Sequence, residues 1–298
     1  MVAVLSLPAR AALTARALAR ACHLEPTVAV SAMSVALAVS TGRSVRGVVA
    51  AGLAVLAGQL TVGWHNDWLD AGRDALAGRT AKPIVRGDVH RSTVLKAFTA
   101  SAIATVALSP LSGWEAGLSH IAAVASALSY NARVKATIIS FLPYCISFGL
   151  LVAFIALGRH PGQWPAWWAI GGAALMGAGA HFANVVPDID QDRATGINGL
   201  PQRLGARASA VIALALLATS TMVIAAGRNG PPLAGYGALA GGAAVIAVSA
   251  FLSAREADTG PPPQPYASRT TKGAGWFRVA MLVALANVVL LVVEGGSL

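Results

Sequence analysis

Long uncharged stretches recur along the whole chain and limit what it can fold into. Most approach the roughly 20 apolar residues that cross a hydrocarbon core, and a shorter one can extend past a flanking Arg or Lys whose side chain reaches the interface. With 56% hydrophobic and only 11% charged residues, the chain lacks the composition of a soluble globule. Bounded by charged or histidine residues, with His120 inside the fourth, the stretches are nine: 26–42, 47–64, 97–114, 116–132, 136–158, 161–180, 208–227, 229–254 and 279–293.

This pattern predicts an all-α, polytopic membrane protein, a bundle of about nine transmembrane helices, with eight and ten as the alternative counts. Because apolar residues are spread evenly, we expect one domain over residues 1–298. Residues 1–25 carry Arg10, Arg16 and Arg20 among alanines and leucines, which favours an N-terminal interfacial helix over a signal peptide. Four prolines between residues 261 and 265 indicate an irregular cytoplasmic loop over 254–275.

Basic residues divide unequally between the two ends of the predicted spans. With nine spans and a cytoplasmic N-terminus, all of the 22 Lys and Arg residues lie inside except Arg43, Arg46, Arg159 and Arg228. Cytoplasmic segments of membrane proteins carry such an excess, so the net charge of +10 needs no nucleic-acid partner. We expect a multi-pass protein of a bacterial cell membrane, with its N-terminus in the cytoplasm.

Six of the 12 acidic residues lie in two short clusters, each at the inner end of a predicted span. The first cluster closes the second span. Its members Asn66, Asp70 and Asp74 are spaced by four, and Asp67 lies three residues before Asp70. On a helix, these four side chains share one face.

The second cluster closes the sixth predicted span and repeats the same spacing. Asn184, Asp188 and Asp192 are again four residues apart. On a helix, Asp190 points away from its two acidic neighbours, so we rank it below them. The repetition indicates that the two clusters serve one purpose.

Carboxylates stacked in this way repel one another and are costly at membrane depth, so cations are expected to hold them. One interpretation is ion pairing with Arg73, Arg193 and the basic segment, residues 79–91. Pairing alone explains neither the repeated spacing nor the accompanying asparagines, which favour Mg²⁺, a hard cation that bridges carboxylates to phosphate oxygens. Two such faces across a cavity would clamp a diphosphate. The expected metal ligands are Asp67, Asp70, Asp74, Asp188 and Asp192.

Other metal chemistry has little support in the sequence. The six histidines show no paired spacing, and the two cysteines, Cys22 and Cys145, imply neither a disulfide framework nor a thiolate metal site. His65 and His181 border the two clusters, but a lone histidine at the end of a span is more often structural than a ligand. Both therefore stay outside the predicted site.

The two clusters resemble the acidic motifs of the UbiA superfamily of intramembrane prenyltransferases, in particular the 4-hydroxybenzoate polyprenyltransferases. That family carries NDxxDxxxD after its second helix and DxxxD after its sixth, in a bundle of nine helices. The motif positions are met by Asn66, Asp67, Asp70, Asp74, Asp188 and Asp192. Further similar segments lie at 79–87, 130–135 and 199–205, and the likeness covers about residues 20–255.

The resemblance implies a prenyltransferase domain with Asp-rich cytoplasmic caps over a central cavity. The implied reaction is Mg²⁺-dependent transfer of a prenyl group from an allylic prenyl diphosphate to a small, lipid-soluble acceptor, commonly an aromatic ring, with two ions bound beside the diphosphate. The implied catalytic residues are Asp67, Asp70, Asp188 and Asp192. The implied substrate-binding residues are Asn66, Lys82, Arg86, Tyr130, Asn131, Lys135 and Asn184.

Two departures from the family pattern leave the acceptor open. Arg73 stands where many members have a neutral or acidic residue, and Lys82 precedes Pro83 where Arg is commoner. The alternatives within the enzyme class are transfer of a phosphosugar group to a polyprenyl phosphate and terpene cyclisation. The alternative from another class is an ion-coupled transporter, although such sites usually lie near the bilayer midplane.

Overall fold

The structure, a computed structural model, describes residues 7–160, 162–227 and 271–293. Helices are the only regular elements in these ranges, which confirms the all-α prediction. Short 3₁₀ helices occupy residues 109–112, 134–136 and 186–188. The α-helices are α1 (Leu7–Ala21), α2 (Leu24–Ser40), α3 (Val45–Leu76), α4 (Pro83–Arg86), α5 (Arg91–Leu108), α6 (Trp114–Ala132), α7 (Leu142–Leu157), α8 (Trp167–Val185), α9 (Ile189–Ala194), α10 (Leu200–Leu204), α11 (Ala206–Ala226) and α12 (Thr271–Val293).

Every predicted span that falls on described residues coincides with a helix. The stretch at 229–254 and residues 254–270 of the predicted cytoplasmic loop lie outside the described residues. Residues 271–275, which were expected to end that loop, instead form the beginning of α12. The division of the chain into one domain with a terminal interfacial segment stays a prediction.

Several of these helices are suited to a membrane by length and composition. Four candidate spans occur in the described part, Val45–Leu76, Arg91–Ser112, Trp167–Ala194 and Ala206–Ala226, and a fifth if α1 and α2 form one span bent by 73°. The helix α7 and the end of α12 are apolar but shorter. These helices support an integral membrane protein, while the count of nine spans stays a prediction.

The length of α3 explains where the first acidic cluster lies. The helix begins after Ser44, whose side chain accepts a hydrogen bond from the backbone N–H of Gly47, and it continues for 32 residues. At 1.5 Å per residue it is about 48 Å long, well beyond a hydrocarbon core of about 30 Å. Asp67 lies about 33 Å from the start of α3, so the carboxylates begin where the apolar layer ends.

Close contacts between helices depend on small residues and on buried hydrogen bonds. The helix α3 packs against α2, α5 and α6, whereas α8 packs against α7 and α11. A Cβ atom added to Gly177 on α8 would lie 2.5 Å from the carbonyl oxygen of Tyr144 on α7, so only glycine permits this approach. Asn287 on α12 accepts a hydrogen bond of 2.5 Å from Thr221 on α11, which joins the last helix to the bundle.

The second acidic cluster does not lie on one continuous helix, contrary to the expected stacking by four. The helix α8 ends at Val185, a 3₁₀ helix covers Val186–Asp188, and α9 begins at Ile189. Pro187 explains the change, because its ring and its missing N–H disrupt regular α-helical bonding. Asp190 is nevertheless directed outward as expected, with a side chain that is 98% exposed.

Candidate active site

The first acidic cluster is buried at the end of α3. Asp67 and Asp74 are each 2% exposed, and Asp70 is 8% exposed. The spacing of three and four residues along a regular helix turns all three carboxylates toward the same side. Buried carboxylates require partners, and each of these three has a cationic one.

Lys82 is the cation that pairs with Asp67. Its Nζ donates a hydrogen bond of 2.5 Å to Asp67 Oδ1. His23 Nε2 lies 3.7 Å from the same oxygen. The second carboxylate oxygen, Oδ2, is buried and has no hydrogen-bond partner among the described residues. Asp67 thus keeps one oxygen free in the interior of the site.

Asp70 is held between two cations. Lys135 Nζ lies 2.6 and 2.8 Å from its two carboxylate oxygens, and Arg73 Nη2 lies 2.6 Å from Oδ2. Lys135 belongs to the 3₁₀ helix Val134–Ala136, beyond the end of α6. Burial lowers the pKa of Lys135, and the negative charge of Asp70 acts in the opposite direction.

Arg79 connects the two acidic clusters. Its Nη1 lies 3.4 Å from Asp74 Oδ1, and its Nη2 lies 3.3 Å from Asp192 Oδ1. The other oxygen of Asp192 accepts a hydrogen bond of 2.9 Å from Gln202 Nε2, on α10. Residues far apart in the sequence therefore meet at one end of the bundle.

The chain between α3 and α4 folds so that its cations turn back toward the carboxylates. The backbone N–H of Arg79 bonds to the carbonyl of Asp74 at 2.9 Å, and that of Lys82 bonds to the carbonyl of Arg79 at 3.0 Å. Pro83 then begins α4, where its fixed φ suits the first helical turn and its missing N–H leaves no bond unmade. Two successive turns thereby direct Arg79 and Lys82 to the same site.

Polar and aromatic side chains of α6, α7 and α8 contact one another, and one of them also contacts α3. The ring of Tyr130 packs edge-on against Tyr144 at 5.1 Å and against His181 at 5.4 Å. Asn131 donates a hydrogen bond of 3.0 Å to the carbonyl of Val62, and Asn184 is hydrogen-bonded to Tyr144. The three predicted residues Tyr130, Asn131 and Asn184 therefore lie on neighbouring helices around one region.

Comparison with known protein families shows which family the chain belongs to. The sequence model of the UbiA prenyltransferase family matches residues 26–262, most of the chain. The chain belongs to the UbiA prenyltransferase family. It is therefore a prenyltransferase, and the ion-coupled transporter considered above is set aside. A comparison with curated proteins gives no significant match.

Solved structures of UbiA proteins share the fold. The apo structure of a UbiA homologue from Aeropyrum pernix K1 is 20% identical, with a TM-score of 0.67, and the match covers 89% of this chain and 97% of that one. A homologue from Archaeoglobus fulgidus, bound to GPP and Mg²⁺, is 16% identical, with a TM-score of 0.64 and coverages of 92% and 99%. A digeranylgeranylglyceryl phosphate synthase is 13% identical, with a TM-score of 0.67 and coverages of 96% and 99%.

Not every residue that the UbiA resemblance implicated is brought to the carboxylates. Arg86 pairs with Asp88 at 3.2 Å on an exposed surface. Asp188 is partly buried near Asp192, and it forms no ion pair with any described residue. Asp190 instead approaches Arg193, at 3.9 Å.

Three residues at the UbiA site were not among the predicted site residues. Arg79 and Gln202 lie in the segments 79–87 and 199–205, which are similar to the family, and that similarity could have pointed to them. In the structure, both side chains contact Asp192. His23 gave no signal, because it lies outside the acidic motifs and outside the short segments that are similar to the family. Its contact with Lys82, at 3.0 Å, arises from the bend between α1 and α2.

Ion pairing, one of the two interpretations of the clusters, describes the contacts observed. Within the described ranges, no three His, Cys, Asp or Glu side chains form a group that could hold a metal ion. The donors nevertheless fit Mg²⁺, which typically takes one or two protein carboxylates and completes its shell with water and phosphate oxygens. The buried, unpartnered Oδ2 of Asp67 is such a hard oxygen donor.

Proposed function

We propose that the chain transfers a prenyl group from an allylic prenyl diphosphate to a small acceptor, with Mg²⁺ bound between protein and diphosphate. The observation that carries this proposal is the bridge made by Arg79, which brings Asp74 and Asp192 of the two clusters to one site. Lys82 and Lys135 add two ammonium groups to it. Such a mixture of carboxylates and cations suits a metal-bound diphosphate.

The five motif aspartates would hold the metal. When bound, Mg²⁺ neutralises negative charge on the departing diphosphate. The free Oδ2 of Asp67 supports this role, as does the lack of an ion pair between Asp188 and the described residues. The relative from Archaeoglobus fulgidus, solved with GPP and Mg²⁺, supports the same class of donor. The proposed ligands are Asp67, Asp70, Asp74, Asp188 and Asp192.

The basic side chains have a second task in this proposal. Lys82 and Lys135 each hold a carboxylate in the structure, so each can exchange that carboxylate for a diphosphate oxygen when donor and metal bind. Their positive charges then stabilise the charge that develops as the allylic C–O bond breaks and its electron pair passes to the diphosphate. Asn66 would orient the donor beside them. Arg86 has no place in this site, because it pairs with Asp88.

The carbocation left by the departing diphosphate would then bond to the acceptor, whose released proton would pass to a carboxylate of the site. Tyr130, Asn131 and Asn184, near the ends of α6 and α8, are the proposed acceptor-side residues. Their aromatic and amide groups suit a planar, polar acceptor such as an aromatic ring. The unequal distribution of basic residues supports a site on the cytoplasmic side of the membrane.

The test is release of diphosphate by the purified protein in liposomes. Donors from geranyl to polyprenyl diphosphate are offered with a panel of aromatic acceptors, with and without Mg²⁺. We expect Mg²⁺-dependent release together with a prenylated product, and its loss in Asp67→Asn and Asp188→Asn. The matched control is Asp190→Asn, which removes the same charge from an exposed position. Normal rates in both motif variants would overturn the proposed metal site.

A further inference from the structure

The N-terminal helix α1 is attached to the segment that carries Lys82. Trp64 on α3 donates a hydrogen bond of 2.9 Å to the carbonyl of Leu18. Arg20 Nη2 lies 3.3 Å from the carbonyl oxygen of Ala81, the residue before Lys82. Ala17 packs with Val89 in a small apolar cluster. The helix therefore holds the backbone on either side of one of the site's cations.

His23 forms the bend between α1 and α2 in an unusual conformation. Its φ of 56° makes it the one non-glycine residue with positive φ in the described ranges. Histidine adopts positive φ more often than most residues, but the left-handed conformation still costs free energy and persists where surrounding contacts enforce it. The conformation directs the imidazole back over the end of α3.

Two hydrogen-bond donors approach the same nitrogen of that imidazole. Lys82 Nζ lies 3.0 Å from His23 Nε2, and Asn66 Nδ2 lies 3.4 Å from it. An ammonium group has hydrogens but no lone pair, so Nε2 accepts and the neutral ring carries its proton on Nδ1. Lys82 donates at the same time to Asp67 Oδ1, at 2.5 Å. Its ammonium group is thus shared between a carboxylate and an imidazole.

We propose that His23 is a positioning residue for Lys82 in the prenyl-transfer reaction, an inference that rests on the function proposed above. When Lys82 leaves Asp67 for a diphosphate oxygen, as proposed above, it loses its carboxylate partner. His23 keeps a hydrogen bond to the ammonium group and holds it beside the entering diphosphate. Without His23, the flexible lysine side chain would have to be ordered by the donor itself, at a cost in affinity.

This role is separable from docking of the N-terminal helix. Trp64, Arg20 and Ala17 attach α1 without any contribution from the imidazole. The His23 side chain is 42% exposed, so its removal leaves no buried cavity. A variant at this position is therefore expected to fold and to retain α1 in place.

Two substitutions separate the side chain from the backbone. In His23→Gln, the amide oxygen can occupy the place of Nε2 and accept from Lys82. In His23→Asn, the shorter side chain reaches only the place of Nδ1, although asparagine adopts positive φ more readily than histidine. The matched control is Arg16→Ala, which changes an exposed residue of the same helix that makes no contact with the site.

The first measurement needs no catalytic activity. The metal-free protein is treated with an amine-acylating reagent, and modification of Lys82 is followed by mass spectrometry relative to the exposed Lys96. Because a hydrogen bond to the ammonium group is lost, we expect modification of Lys82 to rise about fivefold in His23→Asn and to stay at the wild-type rate in His23→Gln. Equal rates in wild type and His23→Asn would overturn the proposal.

The second measurement is steady-state kinetics with the prenyl diphosphate. We expect His23→Asn to raise KM for the donor about fivefold to tenfold, with kcat within about twofold, because the lost contact also exists in the bound ground state. His23→Gln should restore KM, and Arg16→Ala should leave it unchanged. A KM in His23→Gln as high as in His23→Asn would overturn the role. If the wild type releases no diphosphate, the proposed function fails, while the acylation rates still decide whether His23 positions Lys82.

Discussion

Asp74 and Asp192 bind the same guanidinium group, that of Arg79, at 3.4 and 3.3 Å. One carboxylate belongs to the end of α3 and the other to the short helix α9. The side chain of Arg79 joins the two carboxylates, and Gln191 Nε2 on α9 adds a second contact, 3.3 Å from the carbonyl oxygen of Ala77 at the end of α3. The guanidinium group is well suited to joining two carboxylates because its planar fork presents donors in more than one direction.

Replacing Arg79 should loosen the junction of the two clusters. In Arg79→Ala, the buried carboxylate of Asp74 loses its ion-pair partner, so we expect the free energy of unfolding in detergent to fall by about 1–3 kcal/mol. Arg79→Lys should recover only part of this loss, because an ammonium group is a single point of charge. The comparison variant is Arg86→Ala, which breaks an exposed pair with Asp88 and should change stability by less than about 1 kcal/mol. Equal losses in Arg79→Ala and Arg86→Ala would contradict the bridging role.

The buried pair of Asp70 and Lys135 predicts strong coupling. Their side chains are each 11% exposed and their charged atoms lie 2.6 Å apart, so little water screens them. Lys135→Met leaves Asp70 with Arg73 alone and should lower the free energy of unfolding by about 2–3 kcal/mol. This loss is smaller than the one expected when a fully buried charge loses its only partner. In the Lys135→Met background, Asp70→Asn should then lower the free energy of unfolding by less than it does in the wild type. A double-mutant cycle followed by thermal unfolding should give a coupling energy of about 1–3 kcal/mol, and a value within about 0.5 kcal/mol of zero would refute the pairing.

Regular helix geometry is the part of the site that the sequence predicts well. The spacing of Asp67, Asp70 and Asp74 holds because α3 continues without a break to Leu76. The same rule fails for the second cluster, where Pro187 interrupts the helix. Boundaries set at charged residues also cut some helices short. In the structure, α3 includes its acidic motif, and α5 begins at Arg91 instead of residue 97.

The sequence alone does not predict which cation pairs with which carboxylate. The pairing depends on two turns between α3 and α4, and turns have no periodic sequence pattern. These turns direct Arg79 and Lys82 to the carboxylates, whereas Arg86 pairs with Asp88 on the surface. The contact of His23 depends on a bend between two helices and on one residue with positive φ. Local spacing predicts which residues share a helix face, whereas contacts across loops require the tertiary structure.

Close packing at Gly63 should make the N-terminal bend sensitive to one methyl group. A Cβ atom at Gly63 would lie 2.3 Å from the carbonyl oxygen of Cys22, a backbone atom that cannot rotate away. Gly63→Ala should therefore displace the bend and lower the free energy of unfolding by about 1–3 kcal/mol. Gly72→Ala, on the same helix with no atom within 4 Å of the new Cβ, should instead gain up to about 1 kcal/mol from helix propensity. Thermal unfolding of both variants in one detergent tests the contrast, and a shift of the same sign in both would contradict it.

Gln202 offers a test of support for the second cluster. Its amide donates to Asp192 Oδ2 at 2.9 Å and fixes the carboxylate whose other oxygen meets Arg79. Groups that orient metal-binding carboxylates are typically worth about 10- to 100-fold in metal affinity or activity, so Gln202→Leu should raise the Mg²⁺ concentration for half-maximal diphosphate release by about tenfold. Gln191→Leu makes the same chemical change where the amide meets only the carbonyl of Ala77, at 3.3 Å, and should leave the Mg²⁺ requirement unaltered. If both variants need the same Mg²⁺ concentration as the wild type, Gln202 does not prepare Asp192 for the metal. A similar increase in both would instead indicate a general loosening of this end of the bundle.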